Sequence, residues 1–209
     1  MEHTLSDVEV RVLGSLIEKE VTTPDYYPLS LNALVTACNQ SSNRNPVTHF
    51  DEGTVADAAE SLREKGLVHR VDRGVSRVVK YRHVAYETLN LGRPEIAVLN
   101  VLMLRGAQTL GEIRARSASL YDFLSVEQIQ TTVDSLMSGD KPFVVRLARQ
   151  PGQKEVRYTH LLCGDIPVAE IQPEAEAPPD DARPDRLDRL EREIEDLKKQ
   201  FAEFRKQFE

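Results

Sequence analysis

The chain has 209 residues, 40% of them hydrophobic, enough apolar material for one large core or two small ones. Its formal charge is -7, no window approaches the roughly 18 apolar residues of a membrane span, and the opening MEHTLSDVEV lacks the basic start and apolar run of a secretory signal. Cys38 and Cys163 stand far apart and outside any C-x-x-C pair, which leaves no cysteine framework for zinc and fits a reducing compartment, so the expected location is cytoplasmic with no membrane partner.

In chain order, Ser6 and Glu9 have the spacing of a capping box, and Val8, Val12, Leu13, Leu16 and Ile17 follow at helical intervals, which predicts a helix from Asp7 to about Lys19. Prolines at 24 and 28 exclude helix from the next stretch, after which Ser30 caps a short helix that turns Leu31, Leu34 and Val35 inward. CNQSSNRNPV, residues 38–47, suits neither helix nor strand and predicts a loop. Asp51 caps a third helix with Val55, Ala58, Ala59 and Leu62 in one apolar stripe, stopped by Gly66. LVHRVDRGVSRVVKYRH then predicts a hairpin around Asp72, Arg73 and Gly74.

The same order returns in the second half. EVRVLGSL matches EIAVLNVL, LNAL matches LGEI, TVADAAESL matches QIQTTVDSL, and VKYRH matches VRYTH. Pro94 opens the second copy's first helix and Gly106 ends it, Thr109 caps the second, Ser125 with Gln128 makes a capping box for the third, and a hairpin turns at Pro151-Gly152. Three helices and a two-stranded ribbon in about 75 residues is the pattern of the winged helix-turn-helix. The expected fold is α+β, mainly α: two tandem winged-helix domains at 1–88 and 89–165, then an acidic, proline-rich linker at 166–185 and a coiled-coil helix at 186–209.

VTTPDYYPLSLNALVTACNQSSNRNPV, residues 21–47, resembles the signature stretch of the YceH-like family, an uncharacterised family of bacterial proteins. The resemblance extends over residues 5–165 and implies two tandem winged helices. It implies nothing about role. Some members carry lysine where this chain has Ser41, so one positive charge is missing from the loop here.

Beyond the linker, Leu187, Leu190, Ile194, Leu197, Phe201, Phe204 and Phe208 alternate steps of three and four, an a/d seam over three heptads. In a parallel pair Glu193 of one helix would face Lys198 of the other. The stripe either pairs with another copy, giving an oligomer, or folds back on the body.

Charge decides where nucleic acid could be met. Residues 1–165 carry 19 Lys and Arg against 21 Asp and Glu, so there is no general basic coat. The first copy's third helix carries Asp51, Glu52, Asp57, Glu60 and Glu64, which makes it a poor element to push toward phosphates. Residues 63–82 hold Arg63, Lys65, Arg70, Arg73, Arg77, Lys80 and Arg82 against Glu64 and Asp72. The expected DNA contacts are therefore Arg70, Arg73, Arg77 and Lys80 on the first wing, with Asn39, Gln40, Asn43, Arg44 and Asn45 of the loop reading base edges or phosphates. The loop's second reading is structural, since asparagines bond their own neighbours and accept left-handed backbone, while Asn45 before Pro46 is pressed into extended backbone. A protein-interaction scaffold that grips a partner with paired winged helices, without binding DNA, is the competing function. His3, His49, His69, His83 and His160 have no ligand spacing and there is no phosphate-cradling glycine loop, so no metal, cofactor or enzymatic role is expected. His83 and His160 hold the same place in both copies, as do Tyr81 and Tyr158, which predicts packing roles for all four.

Overall fold

A computed structural model of the chain describes residues 4–71, 78–149 and 155–164. Arg73, Arg77, both expected hairpin turns, the linker and the heptad residues Leu187, Leu190, Ile194, Leu197, Phe201, Phe204 and Phe208 lie outside the described residues.

The first helix, α1, runs Asp7–Thr22. Its capping box is complete: the Ser6 hydroxyl accepts from Glu9 N–H at 3.3 Å and the Glu9 carboxylate accepts from Ser6 N–H at 2.6 Å. It continues past Lys19 to Thr22, where the Thr22 and Thr23 hydroxyls fold back to donate to the Glu18 and Lys19 carbonyls and Thr23 N–H also donates to Lys19 O. A single 3-10 turn, Pro24–Tyr26, leads to a short strand β1, Leu29–Ser30, and to α2, Leu31–Cys38, capped by Ser30. Asp51 caps α3, Glu52–Glu64, and Gly66 follows with φ of +70°, the left-handed turn that favours glycine. Strands β2, Val68–Val71, and β3, Lys80–His83, form the first hairpin, and a helix that the pattern did not announce, α4, Ala85–Leu89, closes this half.

In the second half α5 is Arg93–Arg105, α6 is Leu110–Ser117, α7 is Val126–Met137, and β4, Val144–Arg146, pairs antiparallel with β5, Tyr158–His160. Thr109 and Glu112 complete a capping box on α6. On α7 the Ser125 hydroxyl accepts from Gln128 N–H as expected, but the box does not close. The Gln128 side chain reaches one residue further back, to Leu124 N–H at 3.0 Å.

The chain is thus α+β, mainly helical, with two small antiparallel sheets among the described residues. The first ribbon is three-stranded and not two-stranded, in the order β1-β3-β2, because Leu29 pairs with Tyr81 on the far side of β3. The second half keeps a remnant of that third strand: Gln108 and Tyr158 exchange both backbone hydrogen bonds, at 2.9 and 2.8 Å. Tyr81 and Tyr158 are equivalent in the repeat, and both are buried.

The expected boundary near residue 88 is not a gap between two cores. Buried side chains of both halves, from Leu5 and Leu16 through Leu62 to Leu99, Ile129 and Leu162, join in one cluster. Its seam is α1 against α5. A Cβ on Gly14 would lie 2.9 Å from Leu104 Cδ2, and the buried Asn100 amide donates to the Gly14 carbonyl at 2.7 Å. Gly14 and Asn100 occupy the same position in the two aligned copies. Equivalent residues touching each other is the signature of an isologous contact, here built inside one chain. The ends interlock as well, with Leu5 N–H donating to Leu162 O at 2.8 Å.

The two equivalent histidines end in different surroundings. His83 is buried; Ala85 N–H donates to its Nδ1 at 3.2 Å, which places the proton on Nε2, 3.0 Å from a Glu20 carboxylate oxygen. His160 Nδ1 is buried with no hydrogen-bond partner among the described residues, and burial, opposed only by Asp7, pushes its imidazole down to about 4. The folded chain therefore keeps His160 neutral where the unfolded chain protonates it near pH 6.5. Its contribution to stability is complete above about pH 6.5 and is lost as the pH falls from there to about 4. Thermal unfolding of the wild type and of His160→Leu between about pH 7 and pH 4 should show a shallower acid decline in the variant; identical slopes would contradict it.

Candidate nucleic-acid interface

Two stretches of the first half were expected to meet nucleic acid, and the fold treats them differently. On the hairpin, His69 pairs across the ladder with Arg82, and Arg70 with Tyr81. His69, Arg70 and Arg82 are exposed, and Arg82 Nη2 lies 3.3 Å from His69 Nδ1. Arg63, from the last turn of α3, joins His69 and Arg70 to line an open groove of about 320 Å³. Arg63 is exposed and holds Glu60 at 2.7 Å, and Glu60 also feels Arg70. Lys80 is half-buried in the central strand, between Ser30 and Val71. Arg70 and Lys80 are thus on one sheet, while Arg63 and His69 are contributors that the sequence pattern did not single out for contact.

The loop is committed to the fold. Arg44 is the clearest correction: it is not a surface cation but a buried one, its side chain 0% exposed and that of its partner Glu18 9% exposed. Both guanidinium Nη atoms meet the Glu18 carboxylate, at 2.7 and 3.2 Å, while Nε and Nη2 donate to Ala37 O. A duplex cannot reach it without unfolding the loop. Arg11, also buried, donates to Cys38 O and Pro46 O from the other side.

The amides are spent similarly. Asn39 donates to Phe50 O at 2.7 Å and accepts from Phe50 N–H at 2.8 Å, closing the base of the loop with the paired donor and acceptor that would have read an adenine. Gln40 donates to Ser42 O. Asn43 sits at φ +60° and its side-chain oxygen accepts from Arg105. Asn45, joined to Pro46 by a cis peptide bond, donates its backbone N–H to Leu104 O at 2.9 Å and its amide to Arg105 O. The loop thus satisfies carbonyls at the open end of α5 and clasps the second half. Asn39→Ala should cost about 2 kcal/mol, because it strands the Phe50 N–H and C=O together; urea denaturation checks this, and a change near zero would show that water replaces the amide.

Arg11 and Glu18, both on α1, are loop anchors that the sequence reading above does not include. The signal was present in the repeat, whose aligned positions hold Ala97 and Leu104. A charge in one copy where the other has an apolar residue marks a polar contact special to that copy.

Elsewhere, burial pushes the Cys38 thiol up, away from the thiolate a nucleophile needs. Among the described residues no three His, Cys, Asp or Glu side chains gather as a metal site, and no helix is long and apolar enough to cross a membrane.

Fold and site together define a mainly helical α+β protein that uses one helix-and-hairpin unit twice and carries an arginine-lined groove on the first hairpin. A family model described as "Protein of unknown function, DUF480" matches residues 5–153. The chain is similar to the UPF0502 proteins of Solibacter usitatus, 50% identical over 209 residues and 100% of both chains, and of Pelobacter propionicus, 49% identical over 211 residues, 99% of this chain and 95% of that one. The UPF0502 protein of Aliivibrio fischeri is 42% identical over 206 residues, 96% of this chain and 94% of that one. The chain belongs to this family.

Proposed function

We propose that each repeat is a winged helix-turn-helix, and that the protein binds DNA through the first wing in a regulatory, non-enzymatic role, with the C-terminal heptads joining copies into an oligomer. One juxtaposition carries this reading: Arg63, His69 and Arg70 line a single open groove where α3 meets the hairpin, with Arg82 beside His69. Exposed guanidinium groups on a ribbon, here Arg70 and Arg82, suit phosphates, whose contacts fix register without reading sequence. Exposed Glu52 and Asp57 on α3 oppose its entry into a major groove, so the wing and not the helix is the contacting element. The loop contributes its exposed edge, Ser41 to Asn43, and Arg44 takes no part.

The test is duplex titration at two salt concentrations. Affinity should fall steeply with salt, and Arg63→Ala, Arg70→Ala and Arg82→Ala together should lower the log–log slope by about 0.9 for each phosphate that is no longer neutralised. Arg73→Ala and Arg77→Ala extend the series. No binding at low salt, or an unchanged slope, removes the wing from consideration.

The scaffold reading, in which paired winged helices hold another protein, has its own support. Leu124 is 83% exposed and Val126 42% exposed at the start of α7, an apolar edge that a nucleic acid does not favour. A clean failure of the duplex titration, with a partner displaced by Leu124→Asp, would decide for it.

A further inference from the structure

One contact at the groove of the first wing fixes the position of a proton. His69 on β2 and Arg82 on β3 are partners across the ladder, both are exposed, and Arg82 Nη2 lies 3.3 Å from His69 Nδ1. A guanidinium has no lone pair to offer, so Arg82 is the donor and Nδ1 the acceptor. The imidazole is therefore neutral in this pair, with its proton on Nε2.

A second proton on the ring would break the pair. Two N–H groups and two positive charges would then face each other across 3.3 Å, and Arg82 would be released. The elements packed around His69 bring charges of both signs: Glu60, Arg63 and Glu64 from α3, Lys80 and Arg82 from β3, and Arg70 beside it on β2. Arg63, His69 and Arg70 line the same groove. Glu60 is already engaged by Arg63 at 2.7 Å, and that hydrogen bond, with the charges of Arg63 and Arg70, holds its carboxyl below the ordinary value. In the free wing the neighbouring guanidinium groups therefore oppose protonation of His69. A phosphate in the groove reverses this, because it offsets those charges and its oxygens accept from an imidazolium N–H.

We propose that His69 is a proton-linked phosphate contact: as DNA binds the wing, His69 takes up a proton, frees Arg82 from its Nδ1, and adds a cation to the groove. The proposal rests on the DNA reading of the first wing and names the group that regulates it. The bound state holds more protons than the free state, so affinity rises as the pH falls.

Duplex titrations of the full chain at about pH 8 and about pH 5.5, at one low salt concentration, test this across the range in which histidine changes charge. The wild type should bind about tenfold tighter at the lower pH, with a salt slope steeper by about 0.9 for the one further phosphate neutralised. His69→Gln keeps an acceptor oxygen for Arg82 but takes up no proton, so it should match the wild type at the higher pH and lose the gain at the lower. His69 is exposed, and an unchanged melting temperature confirms that the variant is folded. His49→Gln, on the exposed part of the loop, should keep the gain, and His160 stays neutral until about pH 4. Binding that weakens with Arg70→Ala and Arg82→Ala but is equal at both pH values, or a gain that His69→Gln retains, overturns the proposal and leaves the wing as the DNA contact. Absence of binding at both pH values, or binding indifferent to Arg70→Ala and Arg82→Ala, defeats the wing reading and the proposal with it.

Discussion

Arg44→Leu should destabilise the chain by about 3–5 kcal/mol, the cost of leaving one member of a buried ion pair without the other. Glu18, whose side chain is 9% exposed, would lose two charge-assisted hydrogen bonds and remain as a carboxylate inside the fold, and Ala37 O would lose its donor as well. The paired replacement Glu18→Leu with Arg44→Leu should recover most of that stability, since two apolar side chains of similar reach remove the stranded charge. Urea unfolding followed by far-ultraviolet circular dichroism measures both. If Arg44→Leu costs less than about 1 kcal/mol, the guanidinium is serving the surface and Arg44 is available to DNA after all.

Gly14→Val should cost about 3 kcal/mol, at the upper end of what overpacking brings. The added Cβ would sit 2.9 Å from Leu104 Cδ2 and 3.4 Å from Met103 Cβ, so α1 and α5 must separate, and separation stretches the Asn100 to Gly14 hydrogen bond. The strain is local and pairwise, so Leu104→Ala in the same chain should make the double variant less destabilised than the sum of its singles. Strict additivity would mean that the helices do not meet there. Because α1 and α5 join the two halves of one core, the destabilisation should appear as a single cooperative transition shifted to lower denaturant.

Local structure was legible in the residues themselves. Ser6, Ser30, Asp51, Thr109 and Ser125 each cap the helix expected of them, Gly66 and Gly106 end helices with positive φ, and the aligned VKYRH and VRYTH segments become equivalent strands with buried tyrosines. Caps, stops and periodicity act within a few residues, so a sequence window contains the whole interaction. Family membership followed from the same windows, in the stretch from Val21 to Val47.

The loop was the opposite case. Its composition suited an internally bonded turn and a base-reading edge equally well, because an amide offers the same donor and acceptor to Phe50 as to an adenine. Which of them it meets depends on chain segments distant in sequence: Glu18 lies 26 residues from Arg44, and Arg105 lies 62 from Asn43. Sequence by itself determined the two helix-and-hairpin units, their order and their caps. The tertiary structure alone decided that the units share one core, that Gly14 gives way to Asn100 at their seam, and that Arg44 turns inward to Glu18 while Arg70 and Arg82 stay exposed on the hairpin, since burial and charge pairing depend on which surfaces come together and not on which residues are neighbours in the chain.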